Sequence, residues 1–185
     1  MTKKKQHLQT PLTPLRYITT KVKNLPKSKC YINNNWQEKG LANIVVSRQH
    51  PDGNFTSGIY LVDIFCLGLK LTYVKFNGSP ENLNEILESY MPVEDGKITL
   101  MEVDYTLAHN IIYGAIAFAK EYGHKPHKDF SYSEYILEPD DENIELIEID
   151  FGVDGKPLLI ERFEEYEGAP KRLSKTNNND KKETI

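Results

Sequence analysis

Asp63 stands in the middle of GIYLVDIFCLGLK, residues 58–70, the most apolar run of the chain. A buried carboxylate is normally paired, hydrogen-bonded or neutralised, because removing a bare charge from water is costly. Projected from a central strand, Asp63 would serve as a general acid or base, or as a metal ligand. Its structural alternatives are an ion pair with Arg48 or acceptance of backbone N–H groups at a bend. His109 is the partner a catalytic Asp63 would need. If the helix carrying His109 packs on that strand, the two make an acid–base pair. The corresponding activity is that of a small hydrolase or nuclease, with His109 or His127 assisting Asp63. The plainer account of His109, four residues before Tyr113, is a buried and hydrogen-bonded imidazole.

GHKPHKDF, residues 123–130, offers a second chemistry. His124 and His127 have H-x-x-H spacing, and Asp129 is a candidate third metal ligand. Each residue also has a simpler role. His124 follows a helix C-terminus, where the dipole favours a protonated imidazole, and Asp129 is placed to cap the next helix. His109 lies fifteen residues before His124, roughly 22 Å along a helix, too far to join such a site. Zinc needs about four ligands, and neither H-E-x-x-H nor a cysteine pair supplies them. No cofactor is predicted, and a divalent metal is the one group these residues could take. Ser47 and Cys66 are the buried-looking nucleophiles, and apolar surroundings raise a thiol's pKa. GxxxxGK[ST], GxGxxG and GxSxG are absent. The acids from Glu138 to Glu148 lack the order of a calcium loop and read as a solvated surface.

The elements that must position these residues follow from pattern. LANIVVSRQ (41–49), a PDGN turn, and a returning strand from 58, broken at Gly68, make a first hairpin. Both faces of the 58–70 run are apolar, so it is a central strand covered on both sides. Ser79 and Pro80 open a helix with its stripe on Leu83, Ile86, Leu87 and Tyr90. Residues 104–126 carry the clearest helical periodicity, capped by Asp104 and stopped at Gly123. Gly114 in that helix suggests close approach to the sheet or to another helix. A short helix over 129–142 is expected from Ser131 and Glu134, a capping-box pair, with Asp129 as the alternative cap. NIELIEIDFG, VDGKP and LLIERF read as a second hairpin. The order β-β-α-α-α-β-β predicts an α+β fold, with a mainly antiparallel sheet from two hairpins and helices packed on one face. Trp36, beside the Asn33-Asn34-Asn35 turn, is expected to anchor the core edge.

Three segments are expected: a basic flexible leader over 1–29, a single α+β domain over 30–165, and a disordered polar tail over 166–185. The leader holds eight Lys or Arg and no acid, whereas residues 30–168 hold ten basic and 25 acidic residues. A basic arm over residues 3–29 fits nucleic acid. The acidic body repels phosphate, so the plainer reading is that the arms lie against that body or float. The two cysteines, Cys30 and Cys66, suit free thiols in a reducing cytosol. A secretory h-region and a membrane-length apolar stretch are both lacking, so a soluble cytoplasmic protein with no membrane contact is expected.

NNNWQEKGLANIVVSRQ, GIYLVDIFCLGLK and AHNIIYGAIAFAKEYGHKPHKDF together resemble a family of uncharacterised bacterial proteins, over residues 30 to about 160. The chain departs from that family's pattern after Lys70, where Leu71 replaces an acidic residue. The resemblance implies a bacterial, cytoplasmic setting and carries no activity, cofactor or catalytic residue. The expected function is an interaction module for a protein partner whose identity is unknown. Asp63 hydrolase or nuclease chemistry and nucleic-acid binding through the arm are its alternatives.

Overall fold

The computed structural model describes residues 12–89 and 99–159. Helix α1 (Pro14–Thr20) starts at Thr13, whose hydroxyl accepts the Arg16 N–H at 3.3 Å. A 3₁₀ turn (Val22–Asn24) leads to strand β1 (Lys27–Asn33), and one helical turn, α2 (Trp36–Lys39), follows. Strands β2 (Leu41–Gln49), β3 (Phe55–Asp63) and β4 (Gly68–Gly78) form a meander. Helix α3 (Pro80–Ser89), strand β5 (Leu100–Val103), helix α4 (Tyr105–Glu121) and the short α5 (Phe130–Ser133) complete the elements of the described residues, with a 3₁₀ turn at Glu134–Ile136.

The class is α+β, and the sheet is antiparallel throughout, in the order β4-β3-β2-β1-β5. Side chains alternate across it. Ile44, Val46, Tyr60 and Val62 face α4, where Ala108, Ile111, Ile112 and Ala115 close the main core. Val45 and Ile59 point the other way and meet Leu83 of α3. Helices therefore cover both faces rather than one: α4 and α5 on one side, α3 on the other. β3 is flanked by β2 and β4, as its two apolar faces require.

The predicted hairpins behave differently. The first forms as expected: Pro51 to Asn54 turn the chain between β2 and β3, with Gly53 at φ +89°. Gly68, at φ +66°, then starts β4 against the carbonyl of Ala115 and the methyl of Ala119. Among the described residues the second hairpin is not in the sheet, and residues 160–163 of its expected second arm lie outside them. The positive φ of Asp154 and Gly155 makes the expected tight turn, but only the bridge Val153–Lys156 closes around it. Residues 144–152 instead form a strap along α4, with backbone partners that come from side chains and turns. The Asn110 amide donates to the Glu145 carbonyl at 2.9 Å, while its oxygen accepts the Ile147 N–H at 3.1 Å. The Gly152 N–H reaches the Ile64 carbonyl at 2.9 Å. Gly114 is where the strap comes close, since a Cβ there would meet the Phe151 ring. The close approach is thus to the strap, not to the sheet or another helix.

Part of the segment expected as a leader is folded. Residues 14–29 fold, because Ile18, Val22 and Leu25 have apolar side chains that are buried in the main core. The tail over 166–185 and the first eleven residues lie outside the described residues. Among the described residues no helix is long and apolar enough to cross a membrane.

Candidate functional site

Asp63 ends β3, opposite Leu41 and Gly68, and is 3% exposed. One carboxylate oxygen accepts the backbone N–H groups of Phe65 (2.9 Å) and Cys66 (3.0 Å). It therefore holds the tight β3–β4 turn, as an Asx turn does. Of the structural alternatives, the bend is realised and the Arg48 pair is not. Register puts Arg48 opposite Thr56, seven positions along β3 from Asp63, roughly 23 Å at strand rise. The Arg48 guanidinium is fully buried and bonded elsewhere: to the carbonyls of Ile136 (2.7 Å) and Leu25 (2.9 Å) and to the Glu138 carboxylate (2.9 Å). Burial alone would raise the Glu138 pKa. The hydrogen bond and charge of Arg48, with Lys27 and Lys23 nearby, hold it below the usual value.

His109 and Asp63 are not brought together. His109 is 1% exposed, lies between the rings of Tyr105 and Tyr113, and contacts the Glu138 carbonyl through Nε2 at 3.2 Å. Desolvation lowers its pKa, against smaller opposing contributions from its neighbours. The Asp63 turn packs by Gly68 on Ala115 and Ala119, six to ten residues further along α4, about 9–15 Å by helical rise. The pairing fails because α4 runs along the sheet and meets the two residues at different ends.

His124 and His127 diverge as well. The His124 N–H caps α4 on the Ala119 carbonyl at 3.0 Å, and its Nε2 lies 3.8 Å from the Cys66 sulfur. His127 donates its N–H to the Leu69 carbonyl and turns its ring toward Asp129, with Nδ1 to Oδ2 at 3.8 Å. Among the described residues no group of three His, Cys, Asp or Glu side chains is placed to hold a metal ion. Burial, and then the charge of Asp63, raise the Cys66 thiol pKa. Ser47 shares a buried hydrogen bond with Ser57 at 2.9 Å.

Part of the basic arm lies on the body. Lys29 pairs with Glu102 at 2.9 Å, and Lys27 sits 4.6 Å above the Tyr105 ring and 4.0 Å from Glu138. Lys23 lies over Tyr135. Lys3, Lys4 and Lys5 are outside the described residues.

The feature that emerges from packing is a groove of about 520 Å³ on the α4 side of the sheet, reaching from the Ile64–Phe65 turn past α2 to Met101 of β5. One wall is the sheet edge and α2, with Met101, Trp36 and Gln37; Leu107 of α4 and the Ile64–Phe65 turn close its base. The other wall is the strap, with Ile147, Glu148, Ile149, Asp150 and Gly152. It exists because α4 and the strap stop short of covering the outermost strand, leaving Met101 41% exposed and Ile147 38% exposed. Its volume lies within the range of small-ligand and peptide-side-chain sites. Sequence pattern pointed to Trp36 as an edge anchor, which it is, at 5% exposure. The strap residues were hidden, because an ELIEID alternation reads as a strand.

Compared with family models, with curated proteins and with solved structures, the chain matches none of them.

Proposed function

We propose that the chain is a partner-binding module whose ligand sits in the groove between β5 and the strap. The groove itself carries this reading: apolar side chains of Met101, Leu107, Ile147 and Ile149 face open space, rimmed by the exposed carboxylates Glu148 and Asp150. Recognition sites combine apolar surface with polar groups that fix orientation, and this groove offers both. The titratable residues nominated from sequence support it indirectly. Asp63 holds a turn, His109 meets a backbone carbonyl, and His124 and His127 face different neighbours.

The test uses a phage-displayed random peptide library against the intact chain, beside the Met101→Asp and Ile147→Asp variants. Wild type should enrich a sequence family, and each variant, folded by circular dichroism, should lose at least tenfold of that binding. Variants that retain the enriched peptides at wild-type affinity would place recognition elsewhere and end this reading.

A further inference from the structure

The backbone beside the groove carries information of its own. The Asn34 N–H donates to the Thr99 carbonyl at 2.9 Å. In an antiparallel ladder, hydrogen-bonded and non-hydrogen-bonded pairs alternate. Given the register Ile32–Met101 and Cys30–Val103, those are the bonded pairs. The N–H and C=O groups of Leu100 and Glu102 then point away from β1, along the outer edge of the sheet. Among the described residues neither takes a backbone partner there. An unpaired strand edge is a template for another strand.

The open edge and the groove meet at Met101, the β5 residue that lines the groove. A strand laid against β5 would send alternate side chains to the α4 side, where Met101, on the neighbouring strand, lines the groove. Those side chains would enter between Met101 and the strap residues Ile147 and Ile149. Beyond them stand Glu148 and Asp150, both exposed and without an ion pair among the described residues. The region from 30 to 168, with 25 acids against ten bases, extends the same sign of charge.

We infer that β5 and the strap together capture an extended peptide segment of a partner protein by strand addition, with apolar side chains in the groove and Lys or Arg meeting Glu148 and Asp150. This rests on the groove reading above and adds the conformation and charge of the ligand. Main-chain bonds to Leu100 and Glu102 would supply affinity, and the pocket would select side chains at every second position. The acidic rim would speed encounter with a basic segment and make binding salt-sensitive.

The probe is a labelled nine-residue peptide alternating Lys with Val or Ile, titrated against the full chain. Two further copies carry N-methyl groups on one or the other alternate set of residues, which removes N–H donors and keeps every side chain. One N-methylated copy should lose at least tenfold in affinity and the other should bind nearly as well as the parent. The Leu100 and Glu102 amides should gain hydrogen-exchange protection. The charge reversals Glu148→Lys and Asp150→Lys, combined, should weaken binding about tenfold at low salt.

If both N-methylated copies bind like the parent, and Met101→Asp still weakens all three, strand addition is overturned and groove binding stands. Parent binding that Met101→Asp leaves unchanged removes the groove reading together with this one. A parent peptide that does not bind overturns the basic, extended ligand, leaving the library selection to decide the groove. Self-association of the chain that protects Leu100 and Glu102 without peptide makes a second copy the occupant, and also overturns the proposal.

Discussion

Asp63 shows how one buried carboxylate can look catalytic and be architectural. Its oxygen meets two N–H groups of the turn that follows it, in a bend where those donors have no ladder partner. The chemistry needed is an acceptor at that point, and a carboxamide oxygen supplies one too. Asp63→Asn should therefore melt within about 2 °C of wild type. Asp63→Ala, leaving buried donors unsatisfied, should lose about 1–2 kcal/mol, or roughly 2–8 °C for a domain of this size. Thermal unfolding by circular dichroism distinguishes the two. An Asn variant as damaged as the Ala variant would mean that the charge matters, as in its attraction for the Lys70 ammonium. The residue was legible as anomalous from its apolar neighbours. Its partner was not, because a side chain that bonds its own turn two and three residues on leaves no long-range signal. Arg48 was equally hidden: three of its acceptors are main-chain carbonyls, which every sequence supplies.

At the level of elements, helical periodicity and caps were the most legible features. Asp104 caps α4 by accepting the Thr106 N–H at 2.7 Å, and Ser79 and Asn82 cap α3 reciprocally. Alternation was the misleading one. The period-2 pattern of residues 145–151 needs a surface to alternate against, and a helix flank serves as well as a neighbouring strand. The strap is fixed there by Asn110 and by the space at Gly114, neither of which the segment itself encodes. This yields a double-mutant cycle. Alanine for glycine inside a helix is worth about 1 kcal/mol, but at Gly114 the added methyl collides with Phe151, and overpacking costs about 1–3 kcal/mol. Gly114→Ala should leave the melting temperature unchanged or lower it in wild type, and raise it in a Phe151→Ala background. The coupling should be at least about 1 kcal/mol. Equal stabilisation in both backgrounds would mean that the strap does not lie on α4.

For the whole molecule, α+β class and an antiparallel sheet follow from local pattern, whereas the make-up of the sheet does not. β1 was missed because Lys27, Ser28 and Lys29 precede its apolar half, so the segment resembles the end of a basic leader. β5 is only four residues long, and two of them, Met101 and Glu102, are exposed. Those two weakly signalled strands occupy one side of the sheet, and the outer one gives the groove Met101. The groove was therefore illegible in part for the same reason as β5, and in part because the strap that lines its other wall reads as a strand. The other consequence concerns where folding cooperativity begins. Ile18 sits in α1, within what composition marks as leader, yet it is 1% exposed and joins the core shared by α4 and the sheet. If residues 14–25 are part of the domain, Ile18→Ala must behave as a core truncation and cost about 2–5 kcal/mol. The melting temperature should then fall by at least about 4 °C in a single transition. A shift under about 1 °C would detach α1 from the core and return those residues to the leader. A lower but still single transition would join them to the unit that presents the groove, even though α1 itself lines no part of it.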